Sequence, residues 1–149
     1  MQINAWFLVI VIALVVLWKV DLIATLLNLK SQGAGIPEVF RDFVDSETYE
    51  RSQEYTQAKA VLGIGEGIFF LVLLFAFWCL GGFGWLDEQV RGFVGKGGPI
   101  LAGIVYITAL AAGLGLLRLP FDWYDTFVLE EQFGFNRTSY ATWFADLVK

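Results

Sequence analysis

GPILAGIVYITALAAGLGLLRLPFDWYDTFVLEEQFGFNRT, residues 98–138, decides the fold. From Pro99 to Leu117 the chain carries no charge. At ~1.5 Å per residue, the roughly twenty residues from Pro99 to Arg118 match the ~30 Å hydrocarbon core of a bilayer. Pro99 suits a first helical position, while Arg118 and Pro120 are expected to end the span. The residues that follow, Leu119 to Thr138, mix Phe121, Trp123, Tyr124, Phe127, Phe133 and Phe135 with Asp122, Asp125, Glu130 and Glu131. Such a segment is too apolar for a solvated loop and too charged for hydrocarbon, where a carboxylate is expensive. It belongs at a membrane surface, with its rings buried under a partner and its acids at the rim. Gly134 lets the chain turn between Phe133 and Phe135, and Asn136 is expected to cap a following helix.

Working outward, Ile3 to Trp18 is apolar but reaches only about 24 Å, so the first span is expected to continue past Lys19-Val20-Asp21 to Leu29. Ser31-Gln32-Gly33-Ala34-Gly35 breaks the helix. Ile36, Val39, Phe40, Phe43 and Val44, after Pro37, read as a short amphipathic helix on the membrane surface. Asp45 or Ser46 caps the next helix, whose first part, Ser46 to Ala60, is polar. Two readings of that part stay open: a solvated extension, or a helix that buries Tyr49 and Tyr55 against a partner domain. A second span is expected over 61–86, ended by Gly81-Gly82 and Gly84, then a short loop from Asp87 to Gly98. Tyr140 to Val148 reads as a further helix. The expectation is one all-α, polytopic membrane domain over 1–149, with three transmembrane helices (3–29, 61–86, 99–118), amphipathic and surface helices, and a cytosolic surface segment over 119–149.

Composition agrees: the chain is 57% hydrophobic and 17% aromatic, with the apolar residues gathered into long blocks. A net charge of −5 argues against nucleic acid, which wants a basic patch. The N-terminus lacks the basic residues and cleavage site of a signal peptide, so it reads as a retained first span. There is no histidine, and Cys79 is the single cysteine. No HExxH, no GxxxxGK[ST] and no GxSxG is present. Glu130 and Glu131 are adjacent and diverge by roughly 100° on a helix, so they read as surface acids rather than a proton-sharing pair.

Lys30, Arg41, Arg51 and Lys59 lie in the first loop, against only Arg91 and Lys96 in the next, which places the first loop and the C-terminal segment in the cytosol and the N-terminus outside. Asn136-Arg137-Thr138 matches a glycosylation sequon but falls on the cytosolic side of that topology. Lys19, Asp21 and Glu66 are charges at membrane depth, where they either snorkel to the headgroups or serve a function. Lys19 lies ~15 Å before the end of the first span and Glu66 ~8 Å inside the second, so the two are expected to pair or to share a water-filled cavity.

The pattern LPF…YDTFV…EE.FGFN, with Tyr49-Glu50-Arg51-Ser52-Gln53-Glu54-Tyr55 and the Ala58-Lys59 pair, resembles the N-terminal membrane domain of the integral-membrane CAAX prenyl proteases, which are HExxH zinc metalloproteases. The resemblance is strongest over 119–138 and covers most of the chain from Tyr49 onward. It implies membrane helices around a large water-filled chamber, with zinc at its cytosolic end. It also implies an integral-membrane location, the bacterial inner membrane or the endoplasmic reticulum. The zinc ligands are expected in a later part of a longer chain, of which this sequence is a fragment, so no catalytic, cofactor or metal residue is assigned here and zinc belongs to the complete protein. The expected partners are the lipid bilayer, the protein's own C-terminal catalytic portion and a peptide or prenylated-peptide substrate. The residues expected to dock the catalytic portion are Pro120, Phe121, Asp122, Tyr124, Phe127, Glu130, Glu131, Phe133, Phe135, Asn136 and Arg137. The alternative is a non-enzymatic membrane module that binds a partner protein or lipid.

Overall fold

The computed structural model describes residues 5–32 and 45–147, and these are helical without a strand among them. Helix α1 spans Ala5–Gln32, α2 Ser46–Cys79, α3 Gly82–Val94 and α4 Gly98–Tyr124. A π-helical turn, Asp125–Leu129, leads into the short α5, Glu130–Gln132, and α6 spans Tyr140–Leu147. Three stretches, Ala5–Ser31, Ser46–Cys79 and Gly98–Gln132, are long and apolar enough to cross a membrane. The protein is therefore an all-α, polytopic membrane domain. The amphipathic helix expected over 36–44 lies outside the described residues.

The chain divides into two compact units. The first comprises Met1–Trp18 and Gly65–Leu119. Here Phe7 meets Trp78 edge to face at 4.9 Å, and Phe77 and Trp78 meet Phe83 in the same way. Tyr106 donates its hydroxyl hydrogen to the Phe83 carbonyl at 3.4 Å. The Trp18 indole lies over Gly67, where an added methyl would come within 3.4 Å of Nε1. An apolar groove of about 310 Å³ runs between α2, α3 and α4, bordered by Phe70, Leu73, Phe77, Leu86, Leu110 and Leu114. Val90 and Ala102 are buried, yet Leu17, Ile100, Ile107 and Leu116 stay exposed. That distribution suits a bilayer, because lipid tails are as apolar as these side chains and exert no force to hide them.

Two expected boundaries are corrected. The second span ends at Cys79, not near residue 86. Gly81 adopts φ +79°, a left-handed conformation that stops a helix at small cost only in glycine. The chain then restarts as α3, where a span end and a loop were expected. Phe83, Leu86, Val90 and Val94 recur at helical spacing, and Asp87 accepts from Arg91 Nε at 2.7 Å one turn on. The four charges between 87 and 96 concealed this pattern. Pro120 does not end α4, which runs on to Tyr124. A proline removes one i→i−4 bond, and membrane helices tolerate that loss where neighbouring groups re-satisfy the backbone.

The second unit comprises Lys19–Ile64 and Pro120–Lys149. Asp45 caps α2 by accepting from the Thr48 amide at 3.2 Å, which settles the cap in favour of Asp45 over Ser46. Leu129 is buried, and Phe127 stacks on Tyr140 at 4.2 Å with Trp143 edge-on at 6.0 Å. This aromatic stack seats α6 on the π-helical turn. The cap of α6 is Ser139, whose Oγ accepts from the Thr142 amide at 3.2 Å. Asn136, expected in that role, sits too far upstream; its Oδ1 accepts from the Thr138 amide at 2.7 Å, and its Nδ2 donates to Glu131 at 2.9 Å.

Candidate functional site

Tyr55 and Lys59 are one helical turn apart on α2 and so share a face. Both face the segment after Pro120 within the second unit. Lys59 Nζ lies 3.1 Å from Asp125 Oδ2 and 3.1 Å from Glu130 Oε1. Tyr55 donates its hydroxyl hydrogen to the same Glu130 oxygen at 3.3 Å. The Tyr55 ring packs against Phe135 at 4.8 Å and Phe133 at 5.6 Å, with the Lys59 ammonium 5.2 Å from its centroid. Tyr55 is thus half-buried against the chain's own segment, whereas the two sequence readings are a solvated extension and burial against a partner domain.

The backbone explains how one lysine meets both acids. In an α-helix, residues five apart diverge by about 140°. Here the Glu130 amide donates to the Asp125 carbonyl, an i→i−5 bond, so the extra residue of the π turn brings positions 125 and 130 to the same side. Such single π turns occur disproportionately at functional sites. Beyond it, Gly134 at φ +74° closes the segment: its amide donates to the Glu131 carbonyl at 3.0 Å, and the Phe135 amide donates to that of Glu130 at 2.8 Å. This reciprocal pair is a Schellman motif, and the left-handed position asks for glycine. The turn expected at Gly134 is therefore present, and it returns Phe135 to the Tyr55 ring. Asp125 Oδ1 and Gln53 Oε1 are buried acceptors without a protein hydrogen bond.

The docking residues expected from sequence divide into groups. Glu130, Phe133 and Phe135 gather on Tyr55 and Lys59, while Phe127 stacks on Tyr140. Glu131 holds Asn136. Pro120, Phe121, Asp122 and Tyr124 form the last turns of α4, with Pro120, Tyr124 and Arg137 exposed. Glu130 is thus not the plain surface acid that its spacing implied. Lys59 and Asp125 were missed as site residues, because α-helical periodicity places Asp125 and Glu130 on different sides.

Glu66 has a partner that was not expected. Its Oε1 lies 3.3 Å from Arg118 Nε within the first unit; Lys19 belongs to the second unit, and its expected pairing with Glu66 stays a proposal. Arg118 was read only as the end of a span, yet it stands after the apolar run of α4 as Glu66 stands at the start of the apolar part of α2. A polar hollow of about 480 Å³ in the second unit is bordered by Thr25, Asn28, Ser31, Thr56 and Lys59. The described residues hold no group of three His, Cys, Asp or Glu that could bind a metal.

The family described as "CAAX prenyl protease N-terminal, five membrane helices" matches residues 25–149. Curated relatives include CAAX prenyl protease 1 of Saccharomyces cerevisiae, 30% identical over 76% of this chain and 27% of its own length. The CAAX prenyl protease 1 homolog of Homo sapiens is 28% identical over 91% of this chain and 30% of its own. This chain thus spans under a third of the relatives it matches. A crystal structure of S. mikatae Ste24p shares the fold at TM-score 0.86 and 24% identity, over 99% of this chain and 36% of that one. With the family matched across most of its length and that fold reproduced, the chain belongs to the CAAX prenyl protease family, as its N-terminal membrane domain.

Proposed function

We propose that in the complete protein this domain forms part of the wall of an intramembrane chamber and presents residues 119–138 as a docking surface for the catalytic portion of a CAAX-protease-like zinc endopeptidase acting on peptides or prenylated peptides. The observation that carries this reading is the clasp. Tyr55 and Lys59 hold one side of the segment, while Trp123, Tyr124, Phe135 and Arg137 keep exposed area on it. A segment already ordered on one side presents its remaining aromatics at small entropic cost, which favours binding. The chain has no histidine and its described residues offer no metal site, so zinc does not fit here and no step of hydrolysis is assigned to this domain. Hydrogen exchange of residues 119–138, in this domain alone and in the full-length protein, tests the docking. Slower exchange in the full-length protein is expected, and equal exchange in both would overturn it.

The orientation that goes with this function places the N-terminus on the non-cytosolic side of the bacterial inner membrane or the endoplasmic reticulum, with the clasp in the cytosol, as the bias of Lys and Arg in the loops favours. A Glu50→Cys variant, with Cys79 replaced by Ser, is expected to react with an impermeant thiol reagent only from the cytosolic side. Labelling from the opposite side would reverse the topology.

A further inference from the structure

The helix α3 divides into sectors. Taking Phe83 as zero and ~100° per residue, the charged residues Asp87, Arg91 and Glu88 fall between about +40° and +140°. Leu86, Val90, Phe83 and Val94 fall between about −60° and +20°. That second sector faces the protein: Val90 is buried, Leu86 borders the apolar groove, and Phe83 meets Phe77 and Trp78. The third sector, near −160° to −80°, carries Trp85 and Phe93, which are 58% and 85% exposed, with the exposed Gln89 between them; Trp85 also borders the groove with part of its side chain. Leu80, just before the helix, is 86% exposed. The outward apolar sector thus lies nearly opposite the charges.

The position of α3 in the chain says what meets that sector. It joins the end of one candidate span, Cys79, to the start of another at Gly98. Its thirteen residues reach only ~20 Å, too short to cross the ~30 Å core. Gly81 and Gly95, both at positive φ, turn the chain at its two ends. A short amphipathic helix tied between the ends of two spans is held at the bilayer boundary, and its apolar face continues the lipid-facing surface at exposed Leu80 and Ile100. Trp and Phe beside a charged face suit that depth, since aromatic rings concentrate there.

We propose that α3 is an in-plane anchor, with Leu80, Trp85 and Phe93 inserted among the lipid acyl chains of the leaflet at the Cys79 and Gly98 ends of the spans, and with Asp87, Glu88 and Arg91 in the headgroups. The assignment is independent of which side of the membrane that leaflet faces and of the docking described above.

Nitroxide scanning tests it in the full-length protein reconstituted in phosphatidylcholine nanodiscs. Cys79 is replaced by Ser, and labels are placed singly through Trp85→Cys, Phe93→Cys, Gly84→Cys and Glu88→Cys. Position 84 has open space around its Cα, so a side chain there fits. The expected result is a ratio of oxygen to nickel-chelate collision rates several-fold higher at positions 85 and 93 than at 84 and 88. Nickel access at all four positions would show a solvated helix and overturn the proposal. Shielding of 85 and 93 from both reagents would show a protein cover, a second copy or another part of the chain, and would overturn it equally. A Phe93→Leu variant guards against misfolding: it keeps the apolar sector, and its unfolding temperature is expected to match the parent.

Discussion

Replacing Lys59 by Met is expected to release the segment after Pro120 from α2. The substitution keeps the length of the side chain and removes the cation that Asp125 and Glu130 share. Breaking a fully buried pair costs about 3–5 kcal/mol, while an exposed pair is worth ~0–1 kcal/mol. The three side chains here are 38%, 30% and 25% exposed, so the expected cost falls between, at about 1–3 kcal/mol. Two carboxylates would then stand side by side beneath the Tyr55 hydroxyl. Faster exchange should spread through Asp125 to Asn136, because the π turn and the Gly134 turn depend on each other. Glu130→Gln provides the contrast: the amide oxygen still accepts from Tyr55, Asp125 still pairs with Lys59, and about 1 kcal/mol or less is expected. Thermal unfolding and hydrogen exchange in nanodiscs read both variants. A Lys59→Met protein as stable and as protected as the parent would remove the clasp from this account.

Removing Arg118 alone is expected to cost about as much. Arg118→Met leaves the Glu66 carboxylate at membrane depth with its ion-pair partner gone, and a lone charge at the centre of a span costs ~2.5–3.5 kcal/mol on insertion scales. Glu66 is nearer the membrane boundary than the centre, so about 2 kcal/mol is the expected loss. The paired change Glu66→Gln with Arg118→Met should restore part of it, since no charge is then stranded. A double-mutant cycle on unfolding free energies should return a coupling of about 1–2 kcal/mol. Strictly additive single effects would show that the 3.3 Å approach contributes nothing to stability in the membrane. The same cycle with Lys19→Met in place of Arg118→Met should return no coupling if Arg118 is the partner that matters.

The sequence by itself determined the features that answer to local chemistry or to the bilayer. An uncharged run from Pro99 to Leu117 must be a membrane helix, because lipid offers no partner to backbone groups outside a helix. A cap at Asp45 or Ser46, the turn at Gly134, and the need of the aromatic and acidic segment for cover follow from side chains a few residues apart, and the structure chose Asp45. Tertiary structure alone decided the rest. Lys59 and Glu130 are 71 positions apart, and no periodicity connects them. The π turn departs from the α-helical spacing on which any reading of Asp125 and Glu130 depends, and it is held by the lysine and tyrosine of another helix. Pro120 carries the signature of a helix end, yet α4 passes through it, as membrane helices tolerate a proline where the freed backbone group can be satisfied. Glu66 meets Arg118 of another helix, and a position along one helix does not say which neighbour stands beside it.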